Sequence, residues 1–346
     1  MRRLESKLVE KALVTGGTGF LGTLISATLV EAGFDVTAID VVDPGPDFPE
    51  RARFSFCDIT DPAAVRKAVE GFDVVVSNAA LVPITNSTAE EYLRVNEGGT
   101  EIVLAAAREQ GAYCCHVSSS AVFGAPRSVP VTNATPIAPF EDYGVSKAAG
   151  EAAVARAREE GLTASILRPR TLIAEGRLGL FDMIFSRIRA GKAVPLLGGG
   201  DNLFQLCDGK DFADAVLAAI QKRAPGDYNI GALEYGTVRE DIQKLIDHAG
   251  SGSRLVPIPV WATEASLGGL RMTGLSPFSK WHWRSAYTPF YFDMDPVCEE
   301  LEWRPKLSNA DSMIKAYDIY LSTPGASGNS AHRMPISGTM ARVLRG

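Results

Sequence analysis

The sequence predicts an α/β fold, a doubly wound parallel sheet with a smaller C-terminal α/β part, on three observations. Short apolar runs alternate with stretches of helical spacing from Lys11 to Leu167, the pattern of a parallel sheet covered on both faces. The first of these runs ends in a glycine-rich turn, Thr15-Gly16-Gly17-Thr18-Gly19-Phe20-Leu21-Gly22. The chain has 346 residues, 46% hydrophobic and 22% charged, enough for one large domain or two interleaved ones.

Lys11 to Thr15 reads as the first strand, and Phe20 to Ala32 carries Leu21, Leu24, Ile25 and Leu29 at helical spacing. Strand, tight turn and helix therefore follow one another. Phe34 to Ile39 is a second β-rich run ending at Asp40, Arg53 to Phe56 a third and Asp73 to Val76 a fourth, with a helix over Pro62 to Glu70 before the last. A long helix is expected over Glu90 to Gln110, then a strand from Ala112 to Val117 that leads into Ser118-Ser119-Ser120. Tyr143 to Glu160 reads as a helix and Thr163 to Leu167 as the next strand. Beyond Arg168-Pro169 the pattern loosens into Gly176 to Gly179, a helix from Leu180 to Ala190 and the run Gly198-Gly199-Gly200. Asp211 to Gln221 is expected as a helix capped by Asp211, and Tyr228-Asn229-Ile230 as a late strand that returns to the main sheet.

Composition narrows the partners. A formal net charge of -6, with no basic run interleaved with aromatics, argues against a nucleic-acid surface. The first ten residues are no signal peptide, and no stretch is apolar enough to span a bilayer, so no membrane is involved and the cytoplasm is the expected compartment. Cys57, Cys114, Cys115, Cys207 and Cys298 show no CxxC spacing, which suits reduced, buried thiols and gives neither disulfides nor a zinc site. Asp208, Asp211 and Asp214 read as capping and solvated residues, so no metal is expected. His116 and His248 read as structural, and Trp281-His282-Trp283 as a packed loop or, alternatively, a wall of the substrate pocket.

Gly16, Gly19 and Gly22 follow a strand and open a helix, where missing side chains let backbone amides approach a pyrophosphate at the positive helix end. Asp40, at the end of the second strand, can accept hydrogen bonds from ribose hydroxyls and would repel a 2′-phosphate, which favours NAD over NADP. Asp58-Ile59 would lie by the adenine. Asn78-Ala79-Ala80 would let backbone pass close under the cofactor.

Tyr143 and Lys147 are four residues apart and share a helix face. A phenol is a general base near neutrality only if its pKa falls from about 10 toward roughly 7, worth about 4 kcal/mol. A cation within about 4–6 Å lowers an acid's pKa by roughly 1–3, so Lys147 and a positively charged nicotinamide ring together supply the shift. The pair therefore implies a cofactor.

With these motifs go Val95-Asn96-Glu97-Gly98-Gly99-Thr100, Ser118-Ser119-Ser120-Ala121-Val122-Phe123-Gly124, Leu167-Arg168-Pro169, Tyr228-Asn229-Ile230-Gly231 and Leu301-Glu302-Trp303-Arg304-Pro305. In these, over roughly Lys11 to Tyr320, the chain resembles the extended short-chain dehydrogenase/reductase family, the NAD-dependent epimerase/dehydratase group. The resemblance implies a Rossmann-like NAD-binding part over residues 11–170, with 204–232 returning to it. A substrate part over 171–203 and 233–322, an N-terminal extension over 1–10 and a mobile tail over 323–346 complete the expected division.

By that resemblance Tyr143 is the catalytic base or acid, Lys147 holds the nicotinamide ribose, and Ser119 hydrogen-bonds the reacting oxygen with Ser120 able to help. Phe20, Leu21, Asn96 and Pro169 join the cofactor residues. Phe123 replaces the tyrosine usual in the family. Members that eliminate water or decarboxylate carry an acid where this chain has Ser120 and Ala121, which leaves hydride chemistry at a carbinol. Redox-neutral epimerisation of a nucleotide sugar is the leading expectation, as in relatives of UDP-galactose 4-epimerase. A net dehydrogenase or reductase of another alcohol or ketone is the first alternative, and a dinucleotide sensor without turnover the second. Thr171 stands where the family places a substrate-touching asparagine. A second arginine, common near Phe204, is missing, which leaves Arg177, Arg187 and Arg284 as candidate phosphate ligands. A homodimer through the Tyr143 helix is implied as well.

Overall fold

The computed structural model describes residues 9–83, 87–174, 180–264 and 287–322. Arg177, Arg284, Trp281-His282-Trp283, Gly176 to Gly179 and the stretch 323–346 lie outside the described residues.

Seven strands form one parallel sheet: β1 (Lys11–Thr15), β2 (Asp35–Asp40), β3 (Arg53–Phe56), β4 (Val74–Ser77), β5 (Tyr113–Val117), β6 (Ala164–Pro169) and β10 (Asp227–Ile230). Their order is β10-β6-β5-β4-β1-β2-β3, and every pairing is parallel. Connections leave β1 toward β2 on one side, whereas β4 starts the other wing, so the strand order reverses between β1 and β4. Ligands of such sheets bind in the crevice at this reversal.

The near-continuous apolar strands follow from burial on both faces. Ala12 and Val14 of β1, Val74 and Val76 of β4, and Tyr113, Cys115 and Val117 of β5 pack on one face with α1 (Phe20–Glu31) and α7 (Gly209–Lys222). Leu13, Val75 and Cys114 alternate to the other face, beneath α2 (Pro62–Val69), α4 (Thr100–Gln110) and α5 (Asp142–Glu159). Each fully buried Leu, Val or Ile contributes about 1.5–3 kcal/mol relative to exposure. The five cysteines are free and buried, as the absence of CxxC spacing suggests.

Two expectations need correction. The long helix over Glu90 to Gln110 is divided: α3 (Ala89–Leu93) passes into a π-helical segment, Arg94–Gly99, before α4. Asn96 lies in that segment, and a side chain on Gly99 would come 2.5 Å from Ile59 Cδ1. Asp211 is not the cap of α7. Asp208, the last residue of β9 (Leu206–Asp208), accepts from the Lys210 and Asp211 amides at 2.9 and 3.2 Å. The Asp211 carboxylate instead takes the amides of Lys306 and Leu307, each at 3.0 Å, and anchors the segment after Leu301-Glu302-Trp303 to α7.

A third apolar cluster, including Ile173, Phe185, Val194, Leu206, Leu245, Met313 and Tyr317, holds the smaller part. Here β7 (Thr171–Ile173) pairs with β9, and β8 (Val194–Leu197) with β11 (Leu255–Ile258). Helices α6 (Leu180–Arg189), α8 (Val238–His248) and Asn309–Ser322 complete it. Among the described residues, no helix is long and apolar enough to cross a membrane.

Candidate active site

The loops after β1 and β4 meet at the reversal of the sheet. Gly16 has φ 62°, a left-handed conformation that suits glycine, and an added Cβ would lie 2.6 Å from Ala79 Cα. A Cβ on Gly17 would lie 2.4 Å from that of Ala38, and one on Gly22 only 2.0 Å from the Gly16 carbonyl oxygen. Thr15 Oγ1 accepts from the Asn78 and Ala79 amides at 2.9 and 3.0 Å, and Asn78 Nδ2 donates to Gly16 O at 3.2 Å. These contacts fix the two loops against each other. The first turn of α1 begins at Phe20 and Leu21 after Gly19, and no side chain caps it. Its positive end is therefore available to an anion.

Asp40 ends β2, half-buried, with Oδ2 accepting from the Thr18 amide at 3.2 Å and Oδ1 from the Val41 amide at 2.7 Å. Each carboxylate oxygen keeps a further lone pair for a ribose hydroxyl. Asp58 is exposed and turns to Thr60, while Ile59 is buried beneath Gly99 and Ala80 is half-buried at the end of the β4 loop. A cradle that side chains would fill, an uncapped helix start and a carboxylate at the end of β2 fit an adenine dinucleotide.

Asn96 is wholly engaged within the protein. Its Oδ1 accepts from the Leu81 amide at 2.7 Å, and its Nδ2 donates to Leu81 O at 3.0 Å and to Ser146 Oγ at 2.9 Å. It braces the β4 loop against α5.

Two glycines let helix α5 come close to its neighbours, Gly144 to the segment after the serines and Gly150 to the π-helical segment. A Cβ on Gly144 would sit 2.8 Å from the Ala121 carbonyl, and one on Gly150 3.0 Å from the Asn96 carbonyl. Tyr143, beside Gly144, is half-buried, its ring 6.2 Å from that of Tyr92 in an edge arrangement. One turn on, Lys147 is 2% exposed, and its Nζ donates to Val117 O at 2.6 Å. Burial pulls this ammonium down to about 8, and the Glu151 carboxylate opposes that pull.

The three serines are sorted by their partners. Ser118 is buried and donates to Glu151 Oε1 at 2.5 Å. Ser119 is half-exposed, and its Oγ accepts the Ala121 amide at 3.2 Å, at the start of the short 3-10 turn Ser120–Phe123. Ser120 is 8% exposed. Pro169 ends β6, buried, and Thr171 opens β7, half-buried. Arg187 Nε donates to the Ala193 carbonyl at 2.6 Å. Two histidines have structural partners: His116 Nδ1 is 3.2 Å from Ser77 Oγ, and His248 pairs with Asp318. Among the described residues no cluster of His, Cys, Asp or Glu suits a metal.

Sequence reasoning missed the carboxylate behind the lysine. Glu151 is 7% exposed and bound in two places by Arg168, whose Nε and Nη2 donate to it at 2.8 Å each. Arg168 Nη2 also reaches Asp227 at 2.8 Å. The signal was present, since Glu151 follows Lys147 by one further helical turn on the same face.

A doubly wound sheet with a glycine cradle at its reversal, and a buried lysine one turn behind a tyrosine, defines a class of dinucleotide-binding proteins that act on alcohols and carbonyls. The chain belongs to the NAD dependent epimerase/dehydratase family, whose model matches residues 12–231. It is 38% identical over 343 residues to an uncharacterized protein, y4nG, of Sinorhizobium fredii, covering 98% of this chain and 86% of that one. It is 29% identical over 322 residues to 2-alkyl-3-oxoalkanoate reductase of Stenotrophomonas maltophilia, covering 86% and 96%. Among solved structures, UDP-glucose 4-epimerase of Thermotoga maritima is similar with a TM-score of 0.74 and 21% identity, over 90% of this chain and 99% of that one, a likeness of fold.

Proposed function

We propose that the protein is an NAD-dependent epimerase of a nucleotide-diphosphate sugar, which oxidises a carbinol transiently and reduces it again on the other face. The observation that carries this reading is the buried Lys147 ammonium, held by Val117 O at 2.6 Å one helical turn from Tyr143. Its charge favours the phenolate of Tyr143, whose oxygen takes the proton of the substrate hydroxyl. The Ser119 hydroxyl orients the reacting oxygen. NAD, when bound, supplies the hydride acceptor and returns the hydride. The glycine turn and Asp40 would hold its pyrophosphate and ribose, and the half-buried floor Asn78-Ala79-Ala80 would exclude water beneath it.

Epimerisation is favoured over elimination by the residues after Ser119. Ser120 and Ala121 carry no acid to move a second proton. A second reading, net reduction of a 3-oxo acid, has support in the similarity to 2-alkyl-3-oxoalkanoate reductase along 86% of this chain. It uses the same Tyr143, Lys147 and Ser119. The residues 171–203 and 233–322 would cover the substrate in either case.

The test is a comparison of the wild type with Tyr143→Phe on a panel of nucleotide sugars and 3-oxo acids. Isomerised sugar with constant bulk NAD supports the epimerase, and stoichiometric consumption of NADH supports the reductase. Tyr143→Phe should abolish turnover and keep NAD bound; full activity in that variant refutes both.

A further inference from the structure

Arg170 carries a buried positive charge that no carboxylate among the described residues balances. It follows β6 directly, and its amide donates to Ile230 O at 2.8 Å. The register of β5 and β6 pairs Val117 with Leu167. The serine cluster and Arg170 therefore both lie just past one pairing, at the same end of the sheet.

The residue is 4% exposed. Its guanidinium lies over the rings of Phe204 and Phe290, 4.6 and 4.0 Å from their centroids. Nε donates to Phe290 O at 3.2 Å and Nη1 to Thr171 Oγ1 at 2.9 Å. Nη2 is buried and has no hydrogen-bond partner among the described residues. Arg168, two residues earlier, makes the contrast: burial opposes its charge too, but Glu151 and Asp227 outweigh that and raise its pKa. For Arg170 burial acts alone and pulls the guanidinium down to about 9.

Aromatic faces offset part of the desolvation of a cation. They do not satisfy its hydrogens, and a buried charge without an opposite partner is costly. Thr171 adds a second donor at this corner. Its oxygen accepts from Arg170, which turns the hydroxyl hydrogen away from the guanidinium, and the residue is half-buried, within reach of solvent.

We propose that Arg170 and Thr171 form an anion subsite, which receives a phosphate or carboxylate oxygen of the substrate. The proposal deepens the reading above and rests on its placement of the reacting oxygen at Ser119, just past the end of β5. Both candidate substrates carry such a group: the diphosphate of a nucleotide sugar, or the carboxylate of a 3-oxo acid. The subsite gives either one a charge-assisted hydrogen bond in a water-poor setting.

Calorimetric titration of the full chain with NAD bound, using UDP, inorganic pyrophosphate and acetoacetate as probes, tests it against Arg170→Gln. The variant should bind the recognised probe at least about tenfold more weakly, the loss expected for one hydrogen bond to a charged group, while its NAD affinity stays unchanged. Dependence of UDP and pyrophosphate on Arg170 assigns the diphosphate, and dependence of acetoacetate alone assigns the carboxylate. Equal binding of every probe by both proteins, or no binding by the wild type, overturns the subsite. Should Arg170→Gln fail to hold NAD, Thr171→Val carries the test, with about threefold or greater weakening expected for one lost neutral hydrogen bond and unchanged binding as the overturning result. Tyr143→Phe keeps the two readings apart. Its retained turnover would sink the catalytic assignment and leave the Arg170 result standing, whereas an inactive Tyr143→Phe with Arg170-independent binding sinks the subsite alone.

Discussion

Replacing Lys147 with methionine removes a cation that folding buries at a cost. An ordinary lysine titrates near 10.5, and burial brings Lys147 to about 8. At about 1.4 kcal/mol per tenfold change, the folded state bears roughly 3 kcal/mol of cost at neutral pH. Below about pH 8 the folded and unfolded chains both hold the proton, and the cost is constant. Between about 8 and 10.5 the unfolded chain binds more protons than the folded one, so wild-type stability rises with pH until the cost is gone. Lys147→Met has no such proton to release. Its stability relative to wild type should therefore fall by about 3 kcal/mol between roughly pH 7 and pH 10.5. The absolute difference at neutral pH also contains the orphaned Val117 carbonyl, about 1–3 kcal/mol, so the pH dependence isolates the charge. Urea unfolding of both full chains across this range, without added nucleotide, measures it. Parallel curves would refute the reasoning, because they would mean that Lys147 titrates alike in both states. Loss of turnover in the same variant would identify the cation as a stability cost retained for chemistry.

Glu151→Gln should lower stability by less than the roughly 3–5 kcal/mol of a wholly unpaired buried charge, because Arg168 keeps Asp227 at 2.8 Å. It also removes the charge that holds the Lys147 pKa up, so the alkaline limb of the activity profile moves to lower pH; an unmoved limb would uncouple the two residues. Gly22→Ala forces a methyl against the Gly16 carbonyl and should weaken NAD binding by about 1–3 kcal/mol, read by calorimetry with circular dichroism as the fold control. Asp40→Ala should lower NAD affinity by about 1.5–3 kcal/mol, one charged hydrogen bond, without lowering that for NADP. Equal losses for both dinucleotides would exclude a role for Asp40 in their discrimination.

The sheet was legible because its signal is local. β1, β4, β5 and β6 are buried runs in which burial on both faces suppresses alternation, whereas the edge strand β3, Arg53–Phe56, keeps polar residues and is largely exposed. The π-helical segment was not legible, because Glu90 to Gln110 keeps helical spacing throughout. Contacts from elsewhere in the chain accompany the insertion: Asn96 to Leu81 and Ser146, and Gly99 against Ile59. Asp208 and Asp211 are equally good caps by type, and only the distant amides of Lys306 and Leu307 show which one is otherwise engaged. Tyr143 and Lys147 were legible since their relation is a helical spacing. Arg170 was not, because an arginine after a strand reads as solvated until Phe204 and Phe290, far along the chain, close over it.

The main chain leaves the seven-stranded sheet after β6, re-enters through β9 and α7 to lay down β10, and departs again after Ile230. Among the described residues, the smaller part joins the same sheet end at Pro169-Arg170, Asp208-Gly209 and Ile230-Gly231, and Phe290 to Trp303 pack on the sheet core before the chain passes back to the smaller part at Asn309–Ser322. Neighbouring hydrogen bonds, Arg170 N to Ile230 O and Ala232 N to Leu206 O, both 2.8 Å, tie the three crossings to one another. The two parts are therefore held by several hydrogen-bonded crossings, with the later attachment of Lys306 and Leu307 to Asp211 added to them, and not by a single flexible joint.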